Sequence, residues 1–248
     1  MSNLTVLTVV ENTGELADLT ISSILKYTHP VPKIIVCNNG KRDKYINSWE
    51  SNNNIQIIDN KPKMYGGSNR HGDGIQKIFK LVTTPVTAIM DSDTVLLAND
   101  WDKFDTGKYD LVALERGSEN GKSKSIGYHM CFMLFKTKCF LGMDFRPGNN
   151  STRANGRSYK MHEDVGWMIK KFVNPKRVQL LNFVNLKKNS GVVFDNSFCS
   201  VEIHNAGNII AAHFGRGSNI KGKINRKGFD TSIEQVDKWI RAAREHMR

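Results

Sequence analysis

Val86-Thr87-Ala88-Ile89-Met90 runs directly into Asp91-Ser92-Asp93, and the reading of this octet decides the fold. Five apolar or β-branched residues after Pro85 are too few for a helix and suit a buried strand. Two carboxylates at the end of such a strand repel each other, and a hard divalent cation with oxygen ligands relieves that repulsion. The pattern alone is weak. Fifteen Asp in 248 residues predict about one chance Asp-x-Asp, and a second one occurs at Asp100-Trp101-Asp102 in a polar turn, where both carboxylates are expected to be solvated. The plain alternative for Asp91 and Asp93 is a capping or turn pair.

Working upstream, residues 4–10 (Leu-Thr-Val-Leu-Thr-Val-Val), 33–37 (Lys-Ile-Ile-Val-Cys) and 55–58 (Ile-Gln-Ile-Ile) read as three further strands. Leu16, Leu19 and Ile24 fall near helical spacing between the first two. The stretch Gly66-Gly67-Ser68-Asn69-Arg70-His71-Gly72-Asp73-Gly74 reads as a Gly-rich turn into a helix carrying Ile75, Ile78, Phe79 and Val82 at i, i+3, i+4 and i+7. Alternating strands and helices imply an α/β domain with a mostly parallel sheet, whose ligands sit at the carboxyl ends of the strands.

Downstream, residues 110–115, 130–135 and 177–183 read as strands and 148–156 as a polar loop. A short helix with Val165, Met168, Ile169 and Phe172 on one face is entered through Met161-His162-Glu163-Asp164. Thr231-Ser232-Ile233-Glu234 is a capping box opening a last helix with Ile233, Val236 and Ile240 on one face. Between them lies Ala212-His213-Phe214-Gly215-Arg216-Gly217-Ser218.

With 39% hydrophobic and 24% charged residues, 20 Gly and six Pro, the chain is a globular protein; disorder, collagen and repeat arrays are excluded. No basic n-region opens the chain and no apolar run approaches a membrane span. Cys37, Cys131, Cys139 and Cys199 are widely spaced and read as reduced thiols of a cytoplasmic protein, in the host cytoplasm if the source is viral. The net charge is +12 and uneven: residues 1–150 hold 18 Lys+Arg against 16 Asp+Glu, and residues 151–248 hold 18 against 8.

A strand ending in Asp-x-Asp about 90 residues in, after a strand–helix–strand opening and a Gly-rich entry to a helix, resembles the GT-A-fold glycosyltransferases, especially the inverting family-2 type. The resemblance covers roughly residues 4–218. It implies one GT-A-like, Rossmann-like domain over 1–248: a nucleotide-sugar half at 1–100, an acceptor and catalytic half at 101–218, and a basic loop with the C-terminal helix at 219–248. It implies a nucleoside-diphosphate sugar as donor and Mn²⁺ or Mg²⁺ as metal. Asp93 would ligate the metal and Asp91 would meet the ribose or a metal-bound water, with Ser92 between them.

In such enzymes an Glu-Asp pair supplies the base, here Glu163 and Asp164, with Asp164 taking the acceptor proton. A carboxylate opposite the leaving group is what the chemistry needs, although acidic residues in a helix's first turn are also ordinary dipole partners. His213 resembles the late histidine that completes the metal shell, and Arg216 and Lys221 would neutralise the diphosphate. At the nucleoside end Thr8, Val10 and Glu11 would line the pocket. Asn38 stands where the family often has an acid, and Arg70 and His71 stand near the base or phosphates. Other functions fit less well. Nucleotidyl transfer needs a third carboxylate, for which only Asp100 or Asp102 offers itself. A basic nucleic-acid-binding module lacks any recognisable motif. The acceptor is expected to be anionic: hydroxymethylated DNA, a lipid-linked sugar or an acidic glycan.

Overall fold

Leu4–Val10 (β1) is buried at every position, and the two cores that flank it show why its apolar run does not alternate with polar residues. Leu4, Val6 and Val10 face one side, where they meet Ala17, Ile21 and Ile24 of Gly14–Tyr27 (α1). Leu7 and Val9 face the other, against Ile75, Ile78 and Phe79 of Gly67–Phe79 (α3). A strand covered by helices on both faces is apolar throughout.

The computed structural model describes residues 2–62, 67–116, 127–147, 165–185, 201–214 and 233–248. Besides β1, α1 and α3 it contains Lys33–Asn38 (β2), Lys44–Trp49 (α2), Ile55–Asp59 (β3), Val86–Met90 (β4), Thr94–Leu96 (β5), Leu111–Arg116 (β6), Gly127–Lys136 (β7), Ile169–Phe172 (α4), Val178–Asn185 (β8), Val201–Asn205 (β9), Asn208–His213 (β10) and Ile233–His246 (α5). The ten strands form one sheet in the order β3-β2-β1-β4-β7-β6-β8-β9-β10-β5. The α/β class holds. The parallel pairing, expected over most of the sheet, is confined to β3-β2-β1-β4 and the β6/β8 pair. β7 runs antiparallel to both its neighbours, and β8 to β10 and β5 form an antiparallel extension.

Three local expectations change. The Gly-rich stretch is not a turn from residue 67 onward: it is the first two turns of α3. Its glycines serve close packing. A Cβ on Gly74 would lie 2.9 Å from both methyls of Val9, and one on Gly72 would lie 2.9 Å from Arg146 Cα and from the Phe145 carbonyl oxygen. The helix expected from residue 165 is shortened to Ile169–Phe172, because Gly166 takes φ +74° and breaks the helical path, although Val165 and Ile169 are buried as the periodicity requires. α2 was not foreseen. Asp43 starts it by accepting hydrogen bonds from the Tyr45 and Ile46 amides, both at 3.0 Å.

The close seating of α3 gives a stability prediction. Alanine is worth about 1 kcal/mol over glycine in a helix interior, but at Gly72 the added methyl meets backbone that cannot rotate away, and overpacking costs about 1–3 kcal/mol. Gly72→Ala therefore lowers the melting temperature by a few degrees. A variant as stable as the parent in a thermal melt refutes this packing role.

α5 closes the third core. Val236, Trp239, Ile240 and Ala243 pack on Leu16 and Leu19 of α1 and on Val95, Ala212 and Phe214, with Phe214 and Trp239 edge to face at 5.2 Å. The capping residues Thr231 and Ser232 lie outside the described residues. No helix among the described residues is long and apolar enough to cross a membrane.

Candidate active site

Asp91-Ser92-Asp93 forms the turn between β4 and β5. The Thr94 amide donates to the Asp91 carbonyl at 3.0 Å, and the Cys131 carbonyl on neighbouring β7 accepts from both the Asp91 amide and the Thr94 hydroxyl, each at 3.0 Å. Ser92 is tied to the start of α1 by a 3.1 Å hydrogen bond between its hydroxyl and that of Thr13. The turn is thus clamped from the sheet and from a helix, and it stands at the carboxyl edge of β4.

β5 has three residues, and its pairing brings the third side chain in. β10 runs antiparallel to β5 with Ala211 opposite Leu96, Ala212 opposite Val95 and His213 opposite Thr94. The Phe214 amide then donates to the Asp93 carbonyl at 2.9 Å. His213 Nε2 lies 3.1 Å from Asp93 Oδ1 and 3.5 Å from Asp91 Oδ2. Among the described residues, Asp91, Asp93 and His213 are the group able to hold a metal, with one ligand atom from each within 4.8 Å of the others. Asp93 is 6% exposed and Asp91 is half-buried.

A buried carboxylate is tolerated only with a compensating charge, and the site supplies one. Burial by itself would push the His213 imidazole down, but the charge of Asp93, then Cys131 and the hydrogen bonds to Asp91 and Asp93, outweigh it and hold the imidazole well above its ordinary value. Two consequences have opposite signs. A divalent cation held by neutral His213 would have to displace that proton, so its affinity would rise with pH through the neutral range, with proton release on binding. In chelator the raised value stabilises the fold fully below the ordinary histidine value near 6.5, and this contribution is lost as pH rises through the higher folded-state value. Titration calorimetry in buffers of different ionisation enthalpy and thermal melts in EDTA check both. His213→Gln should flatten both profiles.

The donor set of two carboxylates and one imidazole fits a divalent cation. It suits Mn²⁺ better than Mg²⁺, which favours oxygen ligands and retains water.

The residues expected to line the nucleoside pocket gather at the carboxyl ends of β1 and β2 and on α3. Thr8 and Val10 are fully buried within β1, the strand covered on both faces, and Glu11 and Asn12 follow at its end, half-buried and exposed. Glu11 pairs with Arg70 on α3 at 2.8 Å, and Arg70 also donates to the Asn39 carbonyl at 3.2 Å. Asn38 is 1% exposed: its amide nitrogen donates to Asp59 Oδ1 at 2.9 Å and its oxygen accepts from the Gly40 amide at 3.1 Å. Asp59 is set beside Asn38 by the β2/β3 register. The Arg42 guanidinium, then the Asn38 amide, holds its carboxyl below the usual range. Sequence reading passed over Asp59, although it follows directly on the apolar run at 55–58. His71 reaches Asp91 Oδ1 at 3.4 Å.

Asp100 and Asp102 are not at this site. Asp100 is exposed and paired with Lys103. Asp102 is half-buried, its carboxyl pushed up by desolvation, and it feels His29. His29 precedes β2, at the end away from Asn38, about 20 Å along a strand of six residues. Neither supplies the third carboxylate that nucleotidyl transfer needs. Glu163, Asp164, Arg216 and Lys221 lie outside the described residues.

Residues 5–168 match the family model for glycosyl transferase family 2. No curated protein matches the chain in sequence. Among solved structures, an active-site mutant of LgtC shares 14% identity over 72% of this chain and 72% of its own, with a TM-score of 0.51. The mannosyltransferase PcManGT from Pyrobaculum calidifontis, solved with GDP-Man and Mn²⁺, shares 15% identity over 56% of this chain and 46% of its own, with a TM-score of 0.42. S. aureus TarS in complex with UDP-GlcNAc shares 11% over 72% of this chain and 55% of its own, with a TM-score of 0.46. The chain thus spans about half the length of the latter two. With an α/β sheet whose β4 ends in Asp91-Ser92-Asp93, and a family model matched over two thirds of its length, the chain belongs to glycosyl transferase family 2.

Proposed function

We propose that this protein is a metal-dependent glycosyltransferase that moves a sugar from a nucleoside-diphosphate sugar to an acceptor hydroxyl with inversion. The observation that carries it is the convergence of Asp91, Asp93 and His213 at the carboxyl edge of β4. Asp93 and His213, with Asp91, would hold Mn²⁺. When bound, the metal supplies Lewis-acid stabilisation of the departing diphosphate. Asp164 takes the proton from the acceptor hydroxyl, with Glu163 beside it. Arg216 and Lys221 offset the negative charge that grows on the leaving group. Glu11 and Arg70 border the nucleoside end. Residues 1–100 form the donor half and 101–218 the acceptor half.

The acceptor is anionic in this proposal, because residues 151–248 carry 18 Lys+Arg against 8 Asp+Glu. Hydroxymethylated DNA is the acceptor to test first, with lipid-linked and acidic glycans after it; transfer to DNA should weaken steeply with salt. The donor is found by screening sugar nucleotides for protection against thermal unfolding, with and without Mn²⁺. Turnover must release a nucleoside diphosphate and give, by NMR of the first-formed product, an inverted anomeric centre. Pyrophosphate as product, or retained configuration, contradicts the assignment.

A further inference from the structure

Asp91 presents its two carboxylate oxygens to two different histidines. Oδ2 faces His213 Nε2 at 3.5 Å, on the side where Asp93 also lies. Oδ1 faces His71 Nε2 at 3.4 Å. His71 comes from the other side of the site, on α3, and its Nε2 is buried without a hydrogen bond that meets full geometry. An imidazole nitrogen withdrawn from water and set beside one oxygen of a carboxylate is not an ordinary surface histidine.

The reach of His71 is set by the packing of α3. The next residue, Gly72, and then Gly74 allow the helix to approach so closely that a methyl at either position would stand 2.9 Å from its neighbours. His71 is thereby carried to Asp91 from a helix otherwise packed on β1 and β2. It does not belong to the compact group of three ligands, whose donor atoms lie within 4.8 Å of one another. Its partner is the oxygen of Asp91 turned away from His213.

We propose that His71 is a positioning residue for the metal site: its Nε2–H, held 3.4 Å from Asp91 Oδ1, engages that oxygen and so keeps Oδ2 towards His213. This rests on the metal-holding role proposed above. An outer partner of a ligating group fixes its orientation, and losing such a partner typically lowers metal affinity about 10- to 100-fold. Arg70, the neighbouring residue, is engaged with Glu11 and the Asn39 carbonyl, so the two basic residues of this turn divide between the nucleoside rim and the carboxylate.

The test is Mn²⁺ binding alone, read by the electron paramagnetic resonance of free Mn²⁺, on the full chain without any donor or acceptor. Thermal melts in EDTA establish that each variant is folded. The wild type should bind, Asp93→Ala should lose binding, His71→Phe should bind at least about tenfold more weakly, and His71→Gln, which keeps an N–H donor, should recover most of that loss. His71→Phe binding as tightly as wild type, while Asp93→Ala does not bind, overturns the role of His71 and leaves the metal site standing. Equal losses in His71→Gln and His71→Phe also overturn it, since a donor hydrogen bond is then not what matters. A wild type without saturable Mn²⁺ binding overturns both proposals.

Discussion

Alanine at Asp93 abolishes transfer, with kcat/KM falling at least about 10³-fold. The expectation follows from position. Asp93 is 6% exposed, 3.1 Å from His213, and shares its turn with Asp91. Metal stabilisation of a departing diphosphate is worth several kcal/mol, and about 4 kcal/mol is already three powers of ten in rate. The fold should survive, because the main-chain carbonyl of Asp93 still accepts from the Phe214 amide, and what is lost against β10 is the side-chain pairing with His213. Asp93→Asn is the stricter variant: it keeps the shape and removes the charge. Steady-state kinetics under saturating Mn²⁺, beside a circular-dichroism melt, decide it. Either variant retaining more than about a tenth of wild-type activity removes Asp93 from the metal site.

Asp164→Asn lowers kcat about 10²- to 10⁴-fold, the usual range for loss of a general base, while Mn²⁺ affinity and donor KM stay close to wild type. Removing a group that acts only as the acceptor proton moves should leave donor binding unaffected. The wild type should lose kcat as acid protonates this carboxylate. Glu163→Gln is the internal control and should lose far less. If Glu163→Gln collapses and Asp164→Asn does not, the two exchange roles; if neither changes kcat, the base is another group.

The parts of the protein legible in sequence were those governed by local pattern. The strand at 86–90 could be recognised because five apolar or β-branched residues between Pro85 and two aspartates suit a buried strand, and β1 because both of its faces are covered. The glycines at 72 and 74 were visible but misread, since a glycine needed for a turn and one needed for close approach look alike until the neighbouring backbone is in place. Asn38 was correctly located at the end of β2, but its engagement by Asp59 depends on the pairing of β2 with β3. Thr8 and Val10 fall on the expected strand, and their full burial there comes from the packing on both of its faces.

The amino-acid sequence alone therefore determined the α/β class, the strand that ends in Asp91-Ser92-Asp93, and the family resemblance, because each rests on residues close together in the chain. Tertiary structure decided the site itself. His213 meets Asp93 because a three-residue strand pairs with β10 in one register, and a slip of one residue would turn the imidazole to the other face of the sheet. His71 meets Asp91 from α3, which Gly74 lets settle against β1 and Gly72 against the backbone of residues 145 and 146. Contacts across 120 and 20 residues are set by which surfaces bury one another, and local periodicity carries no record of that choice.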